Sequence, residues 1–309
     1  MSKSLLEKVI FLREEYADGE GTFEYSNNSK YEGHWKNGQR YGFGIHTLSD
    51  KSKYVGLHKD GHRHGKGIEI FPNGEKYSGN WKHGIRDGKG IYTWPSGAKY
   101  VGEFEDWDLN GQGTFNYPDG SIYAGGFIDG EYNGHGKFTS KADGDGYEGE
   151  WRNGKKQGEG IHYDKDGQRY EGEWKNDKEN GYGKLTLVNL GSYEGQFING
   201  RQHGEGSLTF ENGYKISGEW RFGSIFKGVA IWPNGNKYEG EFKHWDWHGQ
   251  GKFSIPDGHH IIGKFKDRKP WDTIEYDKNG FIVGKVVDGV QTKGNSSQIT
   301  PKLEVDVSS

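Results

Sequence analysis

The chain has 309 residues, a formal charge of -4, and a joint enrichment in 54 Gly and in rings, with 16 Phe, 19 Tyr and 11 Trp. It has no Cys, which excludes a disulfide scaffold, a thiolate metal site and a cysteine nucleophile. Near-neutral charge argues against a dedicated nucleic-acid binder, and no apolar run approaches the ~18 residues of a membrane-spanning helix.

Residues 1–18 come first. Ser4-Leu5-Leu6-Glu7 reads as a capping box that opens a short amphipathic helix to about Tyr16, with Leu5, Leu6, Val9 and Leu12 on one side. Charges follow at once and no small-residue cleavage site appears, so a secretory signal is not expected. This segment either caps the edge of the first hairpin or docks a partner.

From residue 19 to 285 the chain repeats itself. A Tyr with Gly two residues later opens units at Tyr31, Tyr54, Tyr77, Tyr100, Tyr123, Tyr147, Tyr170, Tyr193 and Tyr238, and Ile fills the slot at Ile216 and Ile261. Successive openings lie 22 to 24 residues apart, a period that marks a repeat architecture. Four residues on comes a second ring: Trp35, Trp81, Phe104, Phe127, Trp151, Trp174, Phe197, Trp220, Phe242 and Phe265, with His58 as the exception. Positions 0, 2 and 4 share one face of a strand, whereas a helix would scatter them. Turns such as Asn37-Gly38 and Asn153-Gly154 close a hairpin, a Gly-x-Gly pair (Gly42/Gly44, Gly65/Gly67) follows between strands, and Pro72-Asn73-Gly74 or its equivalent ends the unit.

The expectation is an all-β chain: an elongated, single-layer antiparallel hairpin solenoid of eleven to twelve repeats of about 23 residues. Residues 286–309 are polar and are expected to form a flexible tail. Tyr31, Trp35, Tyr54, Tyr77, Trp81, Tyr100, Phe104, Tyr123, Phe127, Tyr147, Trp151, Tyr170, Trp174, Tyr193, Phe197, Trp220, Tyr238 and Phe242 are the expected repeat core.

No Gly-x4-Gly-Lys-Ser/Thr occurs, and the Gly-x-Gly pairs do not precede a helix, so nucleotide binding is not expected. His64, His203 and His248 fill a slot that Asn110, Asn133 and Asn180 also fill, which argues for a polar rim rather than a metal site. Catalysis needs one irregular constellation, and the repeat supplies none; no enzyme, cofactor or metal is expected. Departures from the pattern are more informative. The turn in unit four reads Asp106-Trp107-Asp108-Leu109 and that in unit ten His244-Trp245-Asp246-Trp247. Trp107, Leu109, Trp245 and Trp247 are the candidate partner-binding residues; the alternative is that these rings fold back over the adjacent hairpin. Unit nine lacks a glycine and a residue around Gly223–Gly228, where a kink is expected.

Tyr-x-Gly-x-Trp followed by Asn-Gly, Gly-x-Gly and Pro-Asn-Gly resembles the MORN repeat (membrane occupation and recognition nexus), over roughly residues 19 to 285. The resemblance implies a scaffold, as in stand-alone MORN proteins of ciliary axonemes, radial spokes and cytoskeletons, located in the cytoplasm or cilium. Other proteins of a large assembly are the implied partners, anchored by rings along a glycine-aromatic trough, and open terminal hairpins could pair two copies edge to edge. A phosphoinositide or membrane-tethering module is the alternative; Lys155-Lys156 and Arg268-Lys269 support it modestly, against a net charge of -4.

Overall fold

The computed structural model describes residues 18–292, and the expected N-terminal helix lies outside them. Contacts divide the chain into two compact units, residues 1–165 and 166–309. Every regular element among the described residues is a β-strand. The first unit holds thirteen, from Asp18–Glu24 to Lys155–Tyr163, and the second holds twelve, from Arg169–Lys175 to Val290–Thr292. Within each unit every strand pairs antiparallel with its neighbours in sequence, as Lys30–Lys36 does with Asp18–Glu24 and Gln39–Thr47.

Local chemistry explains the meander. Asn37 and Gly38 both take positive φ, 50° and 69°, the two-residue turn whose twist matches that of the strands it joins. At the other end of the unit Gly74 N donates to the Phe71 carbonyl at 3.0 Å, and the Asn73 side chain accepts from Glu75 N at 3.0 Å. The Gly-x-Gly pair, expected between strands, lies inside the second strand of the hairpins that carry it, as in Gln39–Thr47. Gly42, at φ +64°, sits in a bulge, where Gly33 to Trp35 opposes Gly44 to Arg40. Gly44 then pairs with Gly33, so two glycines face each other across the hairpin.

That glycine pair is the seat of the first ring. A Cβ on Gly44, Gly67, Gly113, Gly136, Gly160, Gly183 or Gly206 would overlap the ring or hydroxyl of its own hairpin's Tyr. Each hydroxyl reaches over the pair to the carbonyl three residues on, Tyr54 to Leu57 at 2.8 Å, Tyr77 to Asn80 at 2.8 Å and Tyr238 to Glu241 at 2.9 Å. Burial pushes the Tyr77 and Tyr100 pKa up to about 12, so both remain donors throughout the physiological range.

Second rings close the stack from both sides. Tyr77 meets Trp81 of its own hairpin at 5.2 Å and Phe104 of the next at 5.0 Å, both edge to face. In the first unit this ladder runs unbroken from Trp35 to Trp151 and Tyr147. In the second it runs from Trp174 through Tyr170, Phe197 and Tyr193 to Trp220, stops at Ile216, and resumes at Tyr238. Indole Nε1 groups tie neighbouring hairpins together: Trp151 donates to the Gly136 carbonyl at 3.1 Å and Trp220 to that of Gly206 at 3.0 Å. All eighteen expected core positions are buried except Trp35, which is half-buried.

Two details go beyond the expectation. In unit nine the missing residue comes out of the bulge, where Gly218 to Trp220 now opposes only Gly228 to Ile225. Pairing with the following strand stays in register from Lys227–Glu241 to Ile231–Lys237, so the deletion is absorbed locally. Strand pairing also continues past residue 285, with Val286 opposite Gln291, so the first residues assigned to a flexible tail form a hairpin instead.

Gly206→Ala is expected to cost about 3 kcal/mol or more, because the new methyl would overlap a Tyr193 ring already held between Phe197 and Trp220. Tyr193→Phe, which loses only the bond to the Gln196 carbonyl, should cost about 1 kcal/mol. Thermal melts of the two variants, with amide exchange to localise the loss, check the ordering.

Candidate functional site

The ring face is closed, and the residue that closes it is one that the sequence pattern left unread. Nine residues after the opening Tyr of six hairpins a side chain lies over that Tyr. Arg63 sits 5.1 Å from the Tyr54 ring and Arg86 5.1 Å from Tyr77, both cation–π contacts. Tyr132 stacks on Tyr123 at 3.6 Å, and Trp247 on Tyr238 at 4.6 Å with the planes 2° apart. The constant spacing of Arg40, Arg63 and Arg86 was the available signal.

The arginines bring a buried carboxylate with them. Glu69, 3% exposed, accepts from Arg63 at 2.6 Å and from Arg86 at 3.2 Å. Arg86 is itself surrounded by Phe71, Tyr77, Tyr92 and Trp107, with ring centroids 4.9 to 5.4 Å away. One carboxylate is shared by two guanidiniums, and the surrounding ring faces hold the remaining positive charge, so the cluster ties adjacent hairpins together.

The four candidate partner-binding residues separate. Trp247 is 2% exposed and belongs to the core, a correction that follows from its place nine residues after Tyr238, where a side chain must cover the Tyr ring. Leu109, in the equivalent slot of unit four, is half-buried opposite Phe104. Trp107 and Trp245 occupy the second turn position, where Gly normally sits, at φ +82° and +70°. Bulky residues take this region at a cost of about 1 to 3 kcal/mol. Each is offset by an edge-to-face contact with the second ring of the preceding hairpin, Trp81 at 5.8 Å and Trp220 at 5.4 Å. Both rings keep about two fifths of their surface exposed, 42% and 40%.

His58 is the one imidazole in the ring ladder. It lies 5.0 Å from both Tyr31 and Tyr54, is 3% exposed, and neither ring nitrogen has a hydrogen-bond partner. Burial, then the nearby Arg40 charge, depresses its pKa to about 3. His46, also desolvated and contacted by Arg40 Nη1 at 2.9 Å, falls to about 4. Among the described residues no group of three or more His, Cys, Asp or Glu gathers as a metal site.

With rings buried on one face, any trough must lie on the other. One opens there in the first unit, with a volume of about 810 Å3. Ile45, Val55, Ile68, Ser78, Ile91 and Val101 form one continuous row across six paired strands, because each is registered opposite the next. Phe43 and Leu57 extend the apolar surface to one side. Leu57, Ile91 and Val101 are about 40% exposed and Phe43 53%, although the fold has a closed core without them. Partner contact through the repeat rings, as the glycine-aromatic trough suggested, is therefore excluded by their burial; the open surface is aliphatic and on the reverse side.

A family model described as MORN repeat matches residues 31–53, 54–76, 77–99, 100–122, 123–144, 147–169, 170–191, 193–213 and 238–260. The stretch it passes over, 214–237, is the hairpin in which Ile216 replaces Tyr and the bulge has shortened. No curated protein matches the chain. Among solved structures, the TCP10 domain of Danio rerio CPAP in complex with a STIL peptide is 10% identical, covering 87% of this chain and 95% of that one at a TM-score of 0.28. The Drosophila melanogaster SAS-4 TCP domain with a proline-rich motif of Ana2 is 12% identical, covering 58% and 85% at 0.25. Overlaps this small carry no argument.

Two predictions follow from the buried groups. His58 is neutral in the folded chain, with a pKa of about 3 against ~6.5 unfolded, so the unfolded chain binds more protons between those values. Its contribution to stability is complete above pH ~6.5 and is lost as pH falls toward 3. His58→Phe should remove this dependence, gaining about 2 kcal/mol at pH 5 relative to its effect at pH 7.5. Melts at both pH values decide; an equal effect at both would show that His58 titrates normally. Separately, Trp247→Ala should cost about 3 to 5 kcal/mol, whereas in Trp107→Gly lost ring contact and relieved backbone strain should nearly cancel. Denaturation of the two variants side by side tests that contrast.

Proposed function

Since the chain belongs to the MORN-repeat family, whose arrays are protein-interaction or membrane-associated modules, we propose that it is a non-catalytic scaffold holding other proteins of a large assembly along its hairpins. The observation that carries this reading is the open face of the first unit, where aliphatic side chains are exposed on a sheet whose core is complete without them. For the setting, the resemblance to stand-alone MORN proteins supports a cytoplasmic, microtubule-based complex such as a ciliary axoneme or radial spoke.

One observation favours the membrane-tethering alternative. Residues 30–99 carry thirteen Lys and Arg against six Asp and Glu, while the rest of the chain carries 28 against 39. The net charge of -4 therefore conceals a basic segment that anionic lipid would attract. Exposed Trp107 and Trp245 remain secondary candidates for contact, as do paired terminal hairpins for self-association.

Crosslinking mass spectrometry on a tagged copy in ciliated cells tests the scaffold. Crosslinks from the array to a small, reproducible protein set, with the tag on axonemes, are expected. A diffuse tag with a specific protein set would remove the ciliary setting alone. No specific protein crosslinks, together with sedimentation on phosphoinositide vesicles at low salt, would replace the scaffold with the membrane reading.

A further inference from the structure

We propose that the trough on the open face of the first unit docks an acidic amphipathic helix of a partner protein. The proposal rests on the scaffold reading and supplies the chemistry of the partner.

Its first support is that the fold leaves these slots free. In the second unit the same two slots hold Glu171, Lys184, Glu194, Ser207, Ser217, Glu239 and Lys252, paired in the same register, with Val229, Ile262 and Ile274 as scattered apolar exceptions. Hairpins thus close equally well over charged residues there. In the first unit they hold Ile45, Val55, Ile68, Ile91 and Val101, a substitution of aliphatic for polar that strand pairing does not require. Past Ala124 the row ends in the Lys137–Glu148 ion pair, 3.0 Å, so the apolar stretch is bounded.

The second is shape. Gly56, Gly67, Gly79, Gly90 and Gly102 line the trough along with the aliphatic row. Side chains projecting from a rod-like segment can reach a glycine-lined recess, whereas a flat bilayer surface rests on what protrudes. This favours a protein segment over lipid.

The third is charge. Lys30, Lys53, Lys76 and Lys99 stand one row to one side of the aliphatic row on the same face, and Lys66 and Lys89 line the other side, where Glu103, opposite Lys89, is the one acidic residue of the lining. Lys30 pairs with Glu32 at 3.0 Å, but the other five make no ion pair among the described residues. Basic fringes on both sides of an apolar floor complement a segment with one apolar stripe and acidic flanks.

Dimensions select a helix. Lysines on every second strand recur at about 9.6 Å, close to the ~10.5 Å between residues seven apart on a helix. From Ile45 to Val101 the row crosses five strand spacings, about 24 Å, the length of about 16 helical residues.

The test uses the full chain and a labelled helical peptide of about 16 residues, with Leu on one face and Glu on both flanks, and a counterpart with Lys flanks. Fluorescence anisotropy should show the Glu peptide binding, weakening as salt rises, and the Lys peptide at least about tenfold weaker. Val55→Glu with Val101→Glu should cut affinity at least about tenfold at an unchanged melting temperature, since Glu171, Glu194 and Glu239 fill that slot elsewhere. Lys53→Glu with Lys76→Glu and Lys99→Glu should reverse the preference between the peptides. No binding of the Glu peptide up to about 1 mM, or equal binding by parent and variants, would overturn the proposal. So would phosphatidylserine-vesicle sedimentation that these variants abolish while neither peptide binds. Partner crosslinks that map away from this face would sink the docking site and leave the scaffold standing; loss of all protein crosslinks would remove both.

Discussion

Everything in this fold depends on a tyrosine ring lying flat over a pair of opposed glycines. The contact is possible only because neither residue beneath the ring has a Cβ, and it is held by a hydroxyl that reaches across to the backbone carbonyl three residues on. A single antiparallel layer has no second sheet to bury its apolar side, so it must make a core from within its own face. Sinking the first ring to the level of the backbone lets the second rings of two successive hairpins meet its sides edge to face. The residue nine positions on then covers it. Burial is thus achieved by rings, cations and glycine rather than by aliphatic side chains, which accounts for the composition of the chain.

That solution has consequences for stability and for function. Each hairpin buries its own ring against a neighbour, so its stability is shared with adjacent hairpins. Where the ring is absent, at Ile216, the ladder is interrupted and the bulge is also altered. Where the second ring is replaced by His58, a polar group is buried without partners and brings a pH dependence with it. And because the core lies wholly on one face, the other face is released from any packing duty. Aliphatic residues there, as at Ile91 and Val101, are consequently informative, since in a protein with a two-sided core the same residues would be unremarked packing.

How far the sequence could be read follows from what repetition reveals. Positions that recur at fixed spacing were legible: the tyrosines, the second rings, the Asn-Gly and Pro-x-Gly turns, and hence the hairpins. The covering slot recurs as well, yet its occupants, Arg63, Tyr132 and Trp247, share no chemical type, and only their common place over a Tyr unites them. Trp247 shares its motif with Trp245, yet Trp245 stays in the turn at positive φ while Trp247 lies in the strand that follows and stacks on Tyr238. The trough was hidden for a related reason. Its residues come from two slots on adjacent strands, twelve or so residues apart, and form a row only once register is known.

The sequence by itself determined the hairpin period, the all-β class and the identity of the buried rings, because steric demands on glycine and alternation along a strand leave few other ways to place them. Only the tertiary structure decided which face is closed and which is open, since that depends on what lies across the pleat from each residue. The glycines paired across each ring-bearing hairpin are seats for rings on one side and line a recess on the other, while the rest serve turns and bulges.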